Sequence, residues 1–324
     1  MMACGINVVM TNRDNYVDVA KGIGIMLIIC IHTEVFGVVG MPLMYIAVPV
    51  FFFMSGFYDR SERPLAKWLV KTLRTLIVPA VIWIIIATAY IKLLGFAKDR
   101  SWGDNPFSWY SISGANGPAW FAFALLYAKL MTWGMLRLRL PKFVTGGVSL
   151  LIGYVGINVE MPLLIDEGCA ALPLYVAGKM AYPYLRGLLR KWWLVVLGAA
   201  ALCAFMAHGV RFTIVPQSNG DYSPYYLLVM PLLLLSFVPF LWTAEKLDGV
   251  KWLRALGVSS LGIMLLHAPM CHTAAVVLNR VFEKGSAGWV ASFLVAYAAI
   301  VALSWWLTAL IEKYCPVLLG KRKL

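Results

Sequence analysis

Lys21 and His32 stand eleven residues apart in the stretch VDVAKGIGIMLIICIHTEVFG, residues 17–37. On a helix that spacing is about three turns, so both side chains leave one face, roughly 16 Å apart along the axis. An imidazole on such a face can take a proton near neutral pH, and an ammonium group further down can hold an anion. The plain alternative for His32 is a structural hydrogen bond. For Lys21 it is a basic side chain reaching back to the membrane surface. Glu34 follows two residues later, where it orients a partner, binds substrate or marks the helix end. A second deep histidine, His267, lies in GVSSLGIMLLHAPM and either faces His32 or bonds to a neighbouring backbone. Ionisable residues inside long apolar segments are costly to keep and mark functional sites by default.

Three further sets carry chemistry. In PVFFFMSGFYDR, Ser55 and Gly56 form a small step after three phenylalanines. Close helix packing and backbone approach to a ligand are its two readings. In KWLVKTLRTLIVPAVIW, Lys67, Lys71 and Arg74 recur at spacings of four and three, which puts them on one helix face. They suit lipid headgroups or the phosphates of a nucleotide-bearing ligand. Pro79 is expected to kink that helix. In GANGPAWFAFALL, Asn116 and Trp120 follow a run of aromatic residues. An interfacial aromatic belt accounts for such a run. An aromatic face beside an amide also suits a sugar, whose C–H faces are apolar and whose hydroxyls need partners.

The elements that must position these residues are membrane helices. The chain has 324 residues, 61% apolar and only 13% charged, with a mean hydropathy of +0.79. Soluble domains carry about twice that charged fraction. Residues 224–244 and 285–311 contain no charge, and roughly 20 apolar helical residues cross a bilayer core. The fold class expected is therefore all-α: a polytopic transmembrane helical bundle of about ten spans, forming one domain over residues 1–324. The spans are placed near 17–37, 41–58, 70–94, 118–136, 143–160, 168–185, 192–209, 224–244, 255–279 and 287–311, the sixth being the weakest. With the N-terminus inside, 21 of the 28 basic residues fall on the cytoplasmic side. That asymmetry places both termini in the cytoplasm. The net charge of +13 thus reads as topology and anion contact rather than as nucleic-acid binding. The six cysteines are scattered without a CxxC or metal-ligand spacing, so no disulfide framework and no metal are expected.

The segments D-x-x-K-G-I-G-I with a histidine eleven residues after Lys21, PVFFFMSGFY, the basic run into RTLIVP, and the pair GPAWFAFALL and SLGIMLLHAPM occur in an order that resembles the acyltransferase-3 family. That family comprises bacterial integral-membrane O-acyltransferases, and the compact fucose-O-acetylase-like branch is the nearest in pattern. The resemblance runs from residue 18 to residue 270. The chain departs from the family with lysine at position 21, where many members have arginine, and with Ile-His where Gly-His is frequent. Lysine lacks the planar fork that grips phosphate or carboxylate in two places.

The resemblance implies transfer of an acyl group, usually acetyl from acetyl-CoA, to a hydroxyl of a cell-surface polysaccharide or its lipid-linked precursor. It implies a multi-pass protein of the bacterial inner membrane. In that reading His32 is the general base, while His267 stabilises the thioester oxyanion or positions the acceptor. Lys21, Lys71 and Arg74 hold the nucleotide end of CoA, and Ser55 is a lesser relay candidate. Asn116 and Trp120 meet the sugar. Membrane lipid and the glycan are the partners, and a homo-oligomer is compatible with the sequence. A transporter or flippase for a lipid-linked sugar or small anion is the alternative, with the buried histidines and lysine as relay or counter-charge groups.

Overall fold

The computed structural model describes residues 14–33, 46–59, 64–100, 107–108, 112–208 and 223–321. Among these residues the regular structure is helical, with no strand. Glu34 lies outside the described residues, as do the end of the first expected span and the start of the second.

Among the described residues each of the ten expected segments overlaps a helix, but fewer than ten stretches are long and apolar enough to be spans. In chain order the helices are α1 (Asn15–His32), α2 (Ala47–Phe57), α3 (Leu65–Thr72), α4 (Val78–Asp99), α5 (Trp120–Arg137), α6 (Lys142–Asn158) and α7 (Ile165–Ala181). They continue with α8 (Leu185–Leu189), α9 (Trp192–Ala207), α10 (Tyr226–Lys246), α11 (Lys251–Val258), α12 (Ser260–Val281) and α13 (Ala287–Tyr314). Six helical stretches are long and apolar enough to cross a membrane individually, or seven if the bent pair 162–189 and 192–207 counts as one span. That pair bends by 113°. It contains the sixth expected span, whose charges also made it weakest in the sequence.

The apolar residues of these helices run all the way round rather than along one stripe, which is the pattern of helices whose outer faces meet lipid. Large apolar side chains such as Leu151, Val196, Leu228 and Val295 are exposed. In water such a surface would associate; in a bilayer it is the surface the solvent requires. Two short helices differ. α3 and α11 each carry basic residues on an exposed face and bury Trp68 and Leu253 on the other, the pattern of helices lying in an interface. Pro79 sits at the start of α4, directly after a π-helical turn over Leu73–Ile77. Proline has no N–H to give to the preceding turn, and the wider turn absorbs that defect.

α1 is the axis of the bundle. It packs against α2, α10, α11, α12 and α13, and Val17, Val19, Ala20, Ile25 and Ile29 are fully buried along it. Two glycine contacts set how closely the helices approach. A Cβ on Gly22 would fall on the Leu253 carbonyl oxygen of α11, and one on Gly257 would fall on the Asp18 carbonyl oxygen of α1. On the other side of the bundle Gly56 of α2 lies against the Tyr175 carbonyl, while Gly178 of α7 lies against the Phe53 carbonyl. Small residues let membrane helices come into backbone contact, where dispersion and polar contacts replace the missing hydrophobic drive. Gly56→Val is accordingly expected to destabilise the protein by about 1–3 kcal/mol through overpacking. Gly117→Ala, which meets nothing within 4 Å, is its control in thermal unfolding of the purified protein.

Polar contacts concentrate at the end of the bundle where α1 begins. There Asp14 receives hydrogen bonds from the Tyr182 hydroxyl at 2.8 Å and from Arg186, and its backbone N–H donates to Tyr58 Oη at 3.3 Å. This basic end joins the start of α1, the end of α2 and the α7–α8 corner. At the opposite end Ser286 caps α13 by accepting from the Trp289 N–H at 3.1 Å, the usual answer to unpaired first-turn donors. Trp289 in turn donates from Nε1 to Asn279 of α12 at 2.7 Å.

Candidate active site

His32 closes α1 and His267 lies on α12, which packs beside it. Their ring centroids are 5.1 Å apart at an interplanar angle of 55°. Residues 235 positions apart in the chain thus meet at one point of the bundle. His267 is fully buried, whereas His32 is exposed.

The hydrogen bonding of His267 fixes its chemistry. Its Nδ1 lies 3.1 Å from the Ile263 carbonyl one turn earlier. A carbonyl only accepts, so Nδ1 carries the proton and Nε2 presents a lone pair. That Nε2 is buried and without a hydrogen-bond partner. Unsatisfied buried polar atoms are rare and expensive, and this one belongs to the ring that faces His32.

Asn116 stands beside the same helix. It is fully buried, and its Nδ2 donates to the Leu265 carbonyl at 3.1 Å, two residues before His267. Its Oδ1 is a second buried acceptor without a partner. A turn over residues 117–119 carries the chain from Asn116 into α5, with the half-buried Trp120 at its start. Trp120 packs on Phe52 of α2, with centroids 6.0 Å apart. Asn116 and His267 are therefore held against one segment of α12, and Trp120 follows one turn on.

The remaining candidates lie elsewhere. Lys21 is on α1, eleven residues before His32, and is half-buried. Lys71 and Arg74 are exposed on α3 and the π-helical turn. Ser55 is half-buried on α2, and its hydroxyl donates to the Phe51 carbonyl at 2.7 Å within its own helix. The Ser-Gly step thus serves helix packing through Gly56, with the serine hydroxyl satisfied locally.

One group received no role from the sequence. Lys129 of α5 donates to the Tyr175 hydroxyl at 3.1 Å, Tyr175 donates to Asp59 Oδ1 at 2.8 Å, and Lys179 donates to Asp59 Oδ2 at 2.9 Å. The signal was present, since a lysine in the middle of an apolar span is itself unusual. Its partners, however, are 46 and 70 residues away in the chain. An apolar cavity of about 650 Å³ lies between α4, α12 and α13, lined by Trp83, Leu266, Met270 and Ile300 among others; the hydroxyls on its wall, those of Tyr90 and Thr273, are hydrogen-bonded to each other at 2.8 Å.

Fold and site together define a helical-bundle integral membrane protein that brings two histidines and a buried amide together on its central helices. The class has a family. A family model described as an acyltransferase domain matches residues 14–309, nearly the whole chain, and the protein belongs to the acyltransferase-3 family. It is a membrane acyltransferase. Neither a curated relative nor a solved structure matches the chain.

Proposed function

We propose that the protein is an O-acyltransferase of the bacterial inner membrane that moves an acyl group, acetyl from acetyl-CoA foremost, to a hydroxyl of a cell-surface glycan or its lipid-linked precursor. The observation that supports this reading is the facing pair His32 and His267, with an unpartnered Nε2 on the buried ring.

A sugar hydroxyl is a weak nucleophile at neutral pH, and removing its proton as it attacks is the difficult part of the step. In the proposed reaction the hydroxyl oxygen attacks the thioester carbonyl while its proton passes to His32. The tetrahedral intermediate then collapses: the C–S bond breaks, the sulfur leaves as CoA thiolate and takes up a proton, and the glycan keeps the new ester. A base works best when a third group holds it in one orientation. His267 supplies that group. In the reacting complex its Nε2 lone pair, unpartnered in the structure, would accept an N–H from the facing His32 ring and leave the other nitrogen of His32 free to act as base. The same tautomer makes His267 a poor oxyanion donor, because its one N–H is committed to Ile263. The acceptor sugar meets Asn116 Oδ1, which offers a hydroxyl the hydrogen bond it lacks, and the face of Trp120.

The donor enters from the basic, cytoplasmic end. Lys21, Lys71 and Arg74 hold its phosphates, and the pantetheine arm covers the roughly 16 Å from Lys21 to His32. Ser55, bonded within its own helix, takes no covalent part.

The test is direct. Purified protein in nanodiscs is given acetyl-CoA and bacterial surface polysaccharide; free thiol release and the glycan mass are followed together. One acyl group per repeat with matching CoA release is expected, and movement of the glycan across the bilayer without ester formation would replace the enzyme by a transporter. Lys21→Ala is expected to weaken acyl-CoA binding about tenfold or more, the size of a hydrogen bond to a charged group. Unchanged affinity would leave Lys21 as a topology signal only.

A further inference from the structure

The cavity between α4, α12 and α13 begins beside His267. On α12 its wall runs from Leu266 to Leu278. Met270, Ala274 and Leu278, all in that wall, follow His267 at three, seven and eleven residues, spacings that recur on one helix face. The buried ring and the cavity thus share a face of α12, and the stretch past His267 is about 16 Å long. Pro269 links the two as well. It lines the cavity, and it has no N–H for the carbonyl four residues earlier. That carbonyl, of Leu265, accepts from Asn116 instead.

The direction of the cavity follows from α1. Gly257 lies against the Asp18 carbonyl and Gly22, while His267, ten residues on, lies against His32. The chain from Gly257 into α12 therefore advances in the same direction as α1. Its residues past His267 continue beyond the end of α1, away from Lys21. Ile86, Val277 and Leu303 line the cavity and are exposed, so it opens sideways to the bilayer. Among the described residues of the wall none carries a formal charge, and its Tyr90 and Thr273 hydroxyls satisfy each other. Hydrocarbon is the ligand that such a wall accepts.

The chemistry of the two substrates decides whose hydrocarbon it is. A lipid-linked sugar sets a charged diphosphate between its lipid and its sugar, and that group next to His267 would meet no cation on the wall. An acyl chain is joined directly to its carbonyl carbon. It can lie in the cavity while the carbonyl stands at the histidines.

We infer that the cavity holds the hydrocarbon chain of an acyl donor longer than acetyl, with its thioester carbonyl at His32 and His267. The inference rests on the acyl-CoA reading above and extends its donor from acetyl to longer chains. The pantetheine arm arrives along α1 from Lys21, and the acyl chain leaves along α12 in the same direction, so the donor lies extended through the bundle.

The experiment uses octanoyl-CoA with a photoreactive diazirine at the far end of its chain, bound to the full chain in nanodiscs. Cross-links are expected on α12 between Met270 and Leu278 and on α13 between Ala296 and Leu303, and excess CoA should abolish them. Octanoyl-CoA is expected to displace the probe at a concentration at least about tenfold lower than acetyl-CoA, since each methylene taken from water strengthens binding by up to about fourfold. Ala299→Phe, which fills the cavity from an exposed position of α13, is expected to erase that advantage. CoA-sensitive cross-links that fall instead on lipid-facing residues such as Leu151 and Val196 overturn the cavity as the chain site. So does equal displacement by acetyl-CoA and octanoyl-CoA, or an advantage that survives Ala299→Phe; the acyl-CoA reading stands in each case. If no cross-link responds to CoA, that reading falls and the chain site with it.

Discussion

His32→Ala is expected to lower acyl transfer by about 10²–10⁴-fold, the usual contribution of a positioned general base. Membrane insertion, thermal stability and acyl-CoA affinity should all be retained. The physical case is specific to this site. His32 ends its helix, so removing the ring opens no hole in the fully buried part of α1, where Ile25 and Ile29 do the packing. On the proposed mechanism, what is lost is the base that takes the proton of the incoming hydroxyl. Transfer is best followed as ester formation on the glycan at saturating donor, so that a change in donor affinity does not enter. A variant with wild-type ester levels would remove His32 from the chemistry and leave His267, with its unpartnered Nε2, as the group to test next. His267→Gln sharpens the comparison, since its amide can replace one hydrogen bond but cannot act as a base.

Asp59→Leu is expected to carry the largest stability effect, a loss of about 3–5 kcal/mol, because breaking a buried pair leaves its partner charge uncompensated. Asp59 accepts from Tyr175 and from Lys179 at once; its removal takes this acceptor from the buried Tyr175 O–H and this carboxylate from a lysine side chain that is only 21% exposed. Since α2, α5 and α7 all enter this chain of contacts, loss of Asp59 loosens three helices together. Equilibrium unfolding in mixed detergent measures it. The double variant Asp59→Leu/Lys179→Leu should regain much of the loss, because replacing a whole pair by apolar groups is far less costly than halving it. A single variant as stable as wild type would show that the Asp59–Lys179 pair contributes nothing to folding.

Much of the architecture was legible in the sequence, because the bilayer imposes it locally. A lipid environment requires each spanning segment to satisfy its own backbone, so uncharged run length alone marks helices such as α10 and α13. The order of the Lys21, His32, Ser-Gly and His267 segments was equally open to reading, and the family followed from it. The bend after the sixth segment falls at Arg190 and Lys191, between residues 189 and 192.

The tertiary structure decided what depends on helices distant in the chain. It placed the ring of His267 against that of His32 and bonded its Nδ1 to Ile263, which leaves Nε2 as a buried lone pair. It resolved the Ser-Gly step into backbone contact between Gly56 and Gly178. It also joined Lys129 to Asp59 and Lys179 through Tyr175. No periodicity in one segment encodes these pairings: they depend on the rotation of each helix about its axis and on the close approach that glycines permit. By itself the sequence determined a helical membrane protein with an imidazole and an ammonium group on one face of its first helix. Which other groups complete that face was fixed by packing, because hydrogen-bond geometry is set over a few ångströms and sequence spacing constrains it only within a helix.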